Sequence, residues 1–346
     1  MVSKDIISGD FRNKVNKEIL KDRLMREPFE RTTISFYRYV NIGNPEKLRN
    51  KLWLDWTQLQ VFGRIYVAKE GINAQLSVPT YLLEDFRAYI DATKHFKNVP
   101  FKIAVEDDGK SFYKLDIKVR KKLVADGLDD NAFDTTNVGK HLTAKEFNEI
   151  LKKEDSICFD MRNNYEGRIG HFDGAICPDV ETFREELPVV LDELKDKPKD
   201  KPVLLYCTGG IRCEKASAFL RHHGFTNVGQ LHGGIIDYAH QVKRENLDNN
   251  YKGKNYVFDG RVAEAIGDEC IAHCDQCGVS ADSYVNCNNK ACNELFIQCA
   301  ECNKKMDGCC SEKCKEINAL PEEEQKKLRK GYRHTRHVRP ACCCDA

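Results

Sequence analysis

No stretch of the 346-residue chain approaches the roughly 18 to 20 consecutive apolar residues that cross a bilayer. The opening residues, Met1 to Asp10, lack the hydrophobic core of a signal peptide. The cytoplasm is therefore the expected compartment, without a membrane partner. Neither sign of charge dominates: Lys+Arg 55 against Asp+Glu 54 leaves a net charge of +1, so no global field recruits nucleic acid. Any such partner must be held by a local patch. No flavin, haem or nucleotide signature is present, nor a two-histidine, one-carboxylate iron site. Nothing identifies a protein partner. Cysteine is scarce in the first 269 residues, where only Cys158, Cys177, Cys207 and Cys213 occur, while thirteen lie from Cys270 onward. That asymmetry excludes a disulfide-stapled secreted protein and points to metal ligation in the tail.

What is present suggests several units. The sequence predicts an α/β multidomain chain, with a leader over 1–30, an N-terminal α+β domain over 31–125, a central α/β domain over 141–247, a Cys-rich region over 255–321 and a basic tail over 322–346. Thr33–Val40 reads as a strand, Pro45–Gln60 as a helix with Leu48, Leu52, Trp53, Trp56 and Leu59 inward, then strands at Gly63–Ala68 and Ala74–Val78, a helix at Thr80–Thr93 and a strand at Phe101–Val105. The order βαββαβ is that of a ferredoxin-like antiparallel sheet with both helices on one face. Lys118–Lys122 and Asp126–Asn137 read as an exposed connection. Beyond it, Thr143 and Glu146 form a capping box, and strands at Ser156–Asp160, Pro202–Tyr206 and Asn227–Val228 alternate with helices, which implies a parallel sheet.

The strand Val203–Tyr206 is apolar enough to be buried on both faces, and its carboxyl end is where such sheets place ligand sites. There the chain reads Cys207, Thr208, Gly209, Gly210, Ile211, Arg212 and enters a helix at about Cys213. Paired glycines let successive amides turn inward, and a helix N-terminus adds positive potential, so an anion is favoured at the centre. A thiol at the first position is a candidate nucleophile with a lowered pKa; the plain alternative is a buried strand-end cysteine. A cysteine-phosphatase loop would carry its arginine one position later, where Cys213 stands. The smaller loop suits a sulfur-sized anion, such as a persulfide, better than a phosphate.

Residues 141–247 resemble a rhodanese domain. The resemblance rests on Cys158-Phe-Asp-Met-Arg162, Glu166-Gly-Arg-Ile-Gly-His171 with Gly174-Ala-Ile176, the loop Cys207–Arg212, Gly224-Phe-Thr-Asn-Val228 and Leu231-His-Gly-Gly-Ile235. It implies a persulfide on Cys207, stabilised by Arg212 and the amides of Thr208 to Ile211. Asp160 and Arg162 then fix loops beside the pocket, against the alternative of a surface ion pair. With Arg64–Val78 before it and the cysteine pairs behind, nearly the whole chain resembles the rhodanese-containing, oxygen-dependent tRNA uridine hydroxylases. That resemblance implies tRNA as partner, molecular oxygen as co-substrate and 5-hydroxyuridine at the wobble position as product. A sulfurtransferase handing persulfide sulfur to tRNA, thiosulfate or cyanide is the rival, and an idle rhodanese module that binds RNA or protein is a third class.

The tail pairs are Cys274/Cys277, Cys287/Cys292, Cys299/Cys302 and Cys310/Cys314. Two pairs close a four-sulfur zinc site; in a cross-braced arrangement the first and third share one ion and the second and fourth another. Cys270, His273 and Cys309 are spares, Cys342–Cys344 an incidental terminal cluster, and reduced, packed cysteines without metal the alternative. Gln325–Pro340 carries seven Lys/Arg, among them Arg329, Lys330, Arg333 and Arg336, with no acid and with Tyr332 for stacking. Together with Lys118, Arg120, Lys121 and Lys122 it is a candidate RNA surface, or else a solvated terminus.

Overall fold

A computed structural model describes residues 11, 13, 15–129 and 133–330. After a short helix, α1 (Lys17–Met25), the chain enters β1 (Arg31–Tyr39), α2 (Pro45–Gln58), β2 (Phe62–Ala68), β3 (Gly71–Pro79), α3 (Leu83–Ala92) and β4 (Lys102–Ile103). Asn44 caps α2 by accepting from the Lys47 amide, and Pro45 occupies the first turn, where its missing N–H costs nothing. The helix presents Leu52, Trp53 and Trp56 to the sheet, and α3 presents Phe86 and Ile90. Period-two alternation fills the opposing layer with Ile34, Phe36, Ile65, Val67, Ala74 and Leu76.

A fifth strand, β5 (Leu115–Val119), runs parallel to β2 and completes the order β4-β1-β3-β2-β5. The exposed connection expected at Lys118–Lys122 thus begins inside the sheet. Leu115 and Ile117 are buried while Lys118 points out, an alternation that the neighbouring basic run masks.

The central unit contains β6 (Lys140–Leu142), α4 (Ala144–Leu151), β7 (Ile157–Asp160), α5 (Asn164–Gly167), β8 (Gly170–Phe172), α6 (Phe183–Glu193), β9 (Val203–Tyr206), α7 (Ile211–His222), β10 (Val228–Leu231) and α8 (Gly234–Glu245). Its four-stranded sheet has the order β6-β10-β9-β7 and is parallel throughout. Val203 and Leu205 of β9 pack with Phe183, Leu187 and Ala216 of α6 and α7. Leu204 and Tyr206 pack on the other face with Phe147 and Tyr238 of α4 and α8. The capping box of Thr143 and Glu146 is present at the start of α4. Helix α7 begins at Ile211, two residues before the expected Cys213, because Gly210 at φ +93° already turns the chain into it.

Then β11 (Tyr251–Tyr256) pairs with β8 and with β12 (Ala263–Ala265), extending the molecule beyond the parallel sheet. A hairpin of β13 (Tyr284–Asn286) and β14 (Leu295–Ile297) precedes three short helices, α9 (Ala300–Met306), α10 (Glu312–Asn318) and α11 (Glu322–Arg329). No helix among the described residues is long and apolar enough to cross a membrane.

Candidate active site and paired cysteine clusters

Cys207 follows β9 directly, and its side chain is buried against α6 and α7. The Gly210 amide donates to its Sγ at 3.1 Å. Burial alone raises a thiol pKa. Here the Cys213 thiol, the Arg212 charge and the amides of Arg212 and Cys213 outweigh burial and pull Cys207 down to about 5. Cys213 is pushed well up, by burial first and then by its hydrogen bond to Cys207, so it stays a neutral S–H donor. The residue that separates this loop from a phosphatase loop is therefore a hydrogen-bonding neighbour of Cys207, a role that spacing alone did not reveal.

The loop is braced from below by the turn into α8. Ile235 and Ile236 amides donate to the carbonyls of Cys207 and Thr208 at 3.0 and 3.2 Å. Gly234, at φ +69°, comes so close that a Cβ there would lie 2.5 Å from the Cys207 carbonyl oxygen. Only glycine fits.

Arg212 does not aim its fork at Cys207. Its two terminal nitrogens donate to Glu166 Oε1 and Oε2 at 2.7 and 2.9 Å, a bidentate pair on a fully buried carboxylate, so it acts on the sulfur through charge. Glu166 also accepts from Thr208 Oγ1 at 3.4 Å. Sequence reasoning placed Glu166 in a motif without assigning it this role. Glu186 of α6 is equally buried, and neither carboxylate oxygen has a hydrogen-bond partner among the described residues. Burial raises its pKa well above normal, against the pull of Arg212.

Asp160 and Arg162 are no surface pair. Arg162 holds both Asp160 oxygens at 2.8 and 2.6 Å, donates to the Gly170 carbonyl at 2.6 Å, and shares Asp160 with the Tyr206 hydroxyl at 2.8 Å. Both side chains are essentially inaccessible, and they tie the ends of β7 and β9 to β8.

The N-terminal sheet docks on this loop. Tyr37 donates to Glu214 at 2.8 Å, Tyr39 to the Ile211 carbonyl at 3.4 Å, and buried Lys215 pairs with Glu70 at 2.9 Å and Asp126 at 2.6 Å. Between the units lies a chamber of about 480 Å³ with Cys207, Thr208, Gly209, Ile211 and Arg212 on one wall. The opposite wall is the non-core face of the N-terminal sheet, with Ser35, Tyr37, Arg64, Tyr66, Asn73 and Gln75. A larger cleft of about 990 Å³ adjoins it and includes Arg38, Lys69, Lys102, Lys121 and Lys122.

Of the candidate RNA residues, Lys118 pairs with Asp116 at 2.8 Å, Arg120 lies 5.3 Å from the Tyr66 ring centroid, and Lys122 holds Asp126 at 2.8 Å and the Leu128 carbonyl. Lys121 is exposed at the cleft. Arg329 and Lys330 end α11, whose first turn carries Glu322, Glu323 and Glu324. Arg333, Arg336 and Cys342–Cys344 lie outside the described residues.

The tail cysteines converge as two groups, Cys274, Cys277, Cys299 and Cys302, and Cys287, Cys292, Cys310 and Cys314, each with sulfurs within 4.8 Å of one another. Sulfur–sulfur distances of 3.7 Å recur in both. A tetrahedral zinc with Zn–S of about 2.3 Å requires neighbouring sulfurs about 3.8 Å apart. The donor set and spacing fit, and amides of Cys299 and Cys310 donate to Cys274 and Cys287 at 3.3 and 3.4 Å, as ligand-orienting groups do. The spares stay outside: Cys270 and Cys309 point at the carbonyls of Ala272 and Asp307.

A parallel sheet ending in a six-residue cysteine loop, with helices on both faces, defines a rhodanese-type domain, here roofed by a second sheet and followed by paired four-cysteine clusters. Family models agree: the UPF0176 acylphosphatase like domain matches residues 31–123, the Rhodanese-like domain 143–241 and the Rhodanase C-terminal 252–315. A tRNA uridine(34) hydroxylase of Leptospira interrogans is 57% identical over 319 residues, covering 92% of this chain and 87% of its own. One of Photorhabdus laumondii is 51% identical over 320 residues, covering 92% and 91%. The chain belongs to the tRNA uridine(34) hydroxylase family. Among solved structures, a rhodanese-like domain from Anabaena sp aligns with 33% of this chain and 78% of its own, at 20% identity and a TM-score of 0.26.

Proposed function

We propose that this protein hydroxylates uridine 34 of tRNA in the cytoplasm to 5-hydroxyuridine, with molecular oxygen as co-substrate and Cys207, as thiolate or persulfide, as the nucleophile. The single observation that carries the assignment to this chemistry is an ionised sulfur opening into a chamber of base-sized dimensions, in a chain half identical over nearly its full length to tRNA uridine(34) hydroxylases. Uracil is an electron-poor conjugated ring. Addition of sulfur to C6 breaks the C5–C6 π bond and moves electron density toward O4 and C5, which readies C5 for oxygen; one oxygen atom is kept at C5, the other leaves as water on two electrons from an external reductant, and loss of the C5 proton expels the sulfur from C6. A base held in an anticodon loop must leave its stack to reach the chamber, as enzymes acting on bases require. Thr208, Gly209 and Gly210 supply the amide ring, Arg212 and Cys213 keep the sulfur ionised, and Asp160 and Arg162 hold the strands beneath. Exposed Lys121 and the basic residues from Arg329 onward meet the phosphate backbone. Each four-cysteine cluster holds a structural zinc, which supplies cross-linking of the C-terminal region and no chemistry.

Nucleoside mass spectrometry of tRNA from a strain lacking the gene tests the reading. 5-hydroxyuridine should vanish, return with the wild-type gene, and stay absent with Cys207→Ser while tRNA binding persists. Full restoration by the serine variant defeats the nucleophile assignment, and loss of 2-thiouridine instead would mark a sulfurtransferase.

A further inference from the structure

Among the described residues, three cations line the chamber: Arg64, Lys102 and Arg212. Arg212 is committed to Glu166. Arg64 is exposed and donates to the Phe258 carbonyl at 3.3 Å. Lys102, from the edge strand β4, differs from both: it is only 8% exposed, and its ammonium has no ion pair or hydrogen bond among the described residues. The ammonium lies 4.5 Å from the Tyr37 ring centroid. Its stem covers the loop, since a Cβ built on Gly209 would find Lys102 Cδ at 3.8 Å and nothing else within 4 Å. Lys102 is also shared by the chamber, the larger cleft and a small crevice beside the chamber.

The groups facing it are Tyr37 on β1, Cys207, Glu214 on α7 and Asp237 on α8. Both carboxylates are engaged elsewhere. Glu214 accepts from Tyr37, at 2.8 Å, and from Gln230, and holds His141, whereas Asp237 accepts from Gln241 at 3.0 Å and faces His232 at 3.4 Å. Burial lowers the lysine to about 8, opposed by Asp237, Cys207 and Glu214, and the ammonium still prevails at neutral pH. The side chain is buried while its ammonium is left without an ion pair at the chamber, so a negative charge that develops there is drawn to it.

We propose that Lys102 is a catalytic residue whose ammonium hydrogen-bonds O4 of the uracil ring in the chamber and stabilises the enolate formed when the Cys207 sulfur adds at C6. This rests on the function proposed above. In that step a sulfur lone pair becomes the S–C6 bond, the C5–C6 π pair moves to C4–C5, and the C4–O4 π pair becomes a lone pair on O4. Lys102 supplies the hydrogen, and no oxidant is consumed. Asn73 and Gln75 share the same chamber, and their side-chain amides have no hydrogen-bond partner among the described residues, which leaves them for the rest of the ring edge. The N-terminal domain is thereby part of the catalytic centre.

The test uses full-length protein and an anticodon stem-loop carrying uridine or 5-fluorouridine at position 34. Lys102→Met should lower kcat for 5-hydroxyuridine about 100-fold, the usual effect of removing one donor to a developing oxyanion, with little change in KM. Lys102→Arg should recover part of the rate. The covalent adduct of 5-fluorouridine RNA on Cys207, read as a mass shift, should form correspondingly slowly. Lys102→Gln gives the same readout if the methionine variant melts early. A wild-type kcat and adduct rate in the methionine or glutamine variant, or a loss confined to KM, overturns the inference alone. Wild-type protein that forms no 5-hydroxyuridine overturns the underlying function as well.

Discussion

Cys207 and Glu186 sit in the same buried neighbourhood with pKa values shifted in opposite directions, and the difference lies in donors. Cys207 receives an amide, a thiol and a nearby guanidinium, whereas Glu186 has no hydrogen-bond partner on either oxygen among the described residues. Cys213→Ala removes the thiol donor and should raise the Cys207 pKa; alkylation kinetics measured against pH would show the midpoint moving up. Glu186 makes a different prediction. Its folded pKa lies above its ordinary 4.5, so folding is penalised only where the unfolded carboxyl ionises. Glu186→Gln should therefore leave the melting temperature unchanged near pH 4 and raise it progressively toward neutrality. A variant less stable than wild type at pH 7 would show that the acid has a partner the structure lacks.

At the scale of elements, the Asp160–Arg162 pair carries more than its motif suggests. Removing one member strands a buried charge, so Asp160→Ala should cost about 3 to 5 kcal/mol, measured by denaturant unfolding. The loop and its flanking strand were legible in the sequence because β9 has four consecutive buried positions and the glycines follow at once. Other elements were not. Strand β10 is twice as long as expected because Gly229 and Gln230 look like loop residues, yet both are buried, and Gln230 spends its amide on Glu214 and His141. Strand β5 hid behind Lys118–Lys122, where charge outweighed the alternation of Leu115 and Ile117. Partners separated by dozens of residues, such as Glu166 for Arg212, leave no local trace at all. The cysteine pairs pointed to a metal site, but only the hairpin of β13 and β14 with the short helices brings the sulfurs to a spacing that could hold an ion. A strong chelator should extract two ions per chain and lower the melting temperature, since a four-thiolate site contributes folding energy directly; a metal-free preparation with an unchanged melt would contradict this.

For the whole molecule, the chamber exists only because two units dock. Lys215, at 2% exposure, binds Glu70 from the N-terminal unit and Asp126 from the connection, while Tyr37 and Tyr39 reach the loop itself. Lys215→Met leaves Glu70 without this cation and Asp126 with Lys122 alone, and should loosen the docking enough for proteolysis between residues 120 and 140 to accelerate. Deleting the residues after Pro321 should weaken tRNA binding and flatten its salt dependence by removing phosphate contacts.

The most direct test of the whole account is the rate at which iodoacetamide labels Cys207, followed peptide by peptide from pH 4 to pH 10. Half-maximal labelling near pH 5 is the predicted result. A midpoint near the ordinary thiol value of about 8.5, or a thiol that stays unlabelled at neutral pH, would contradict it.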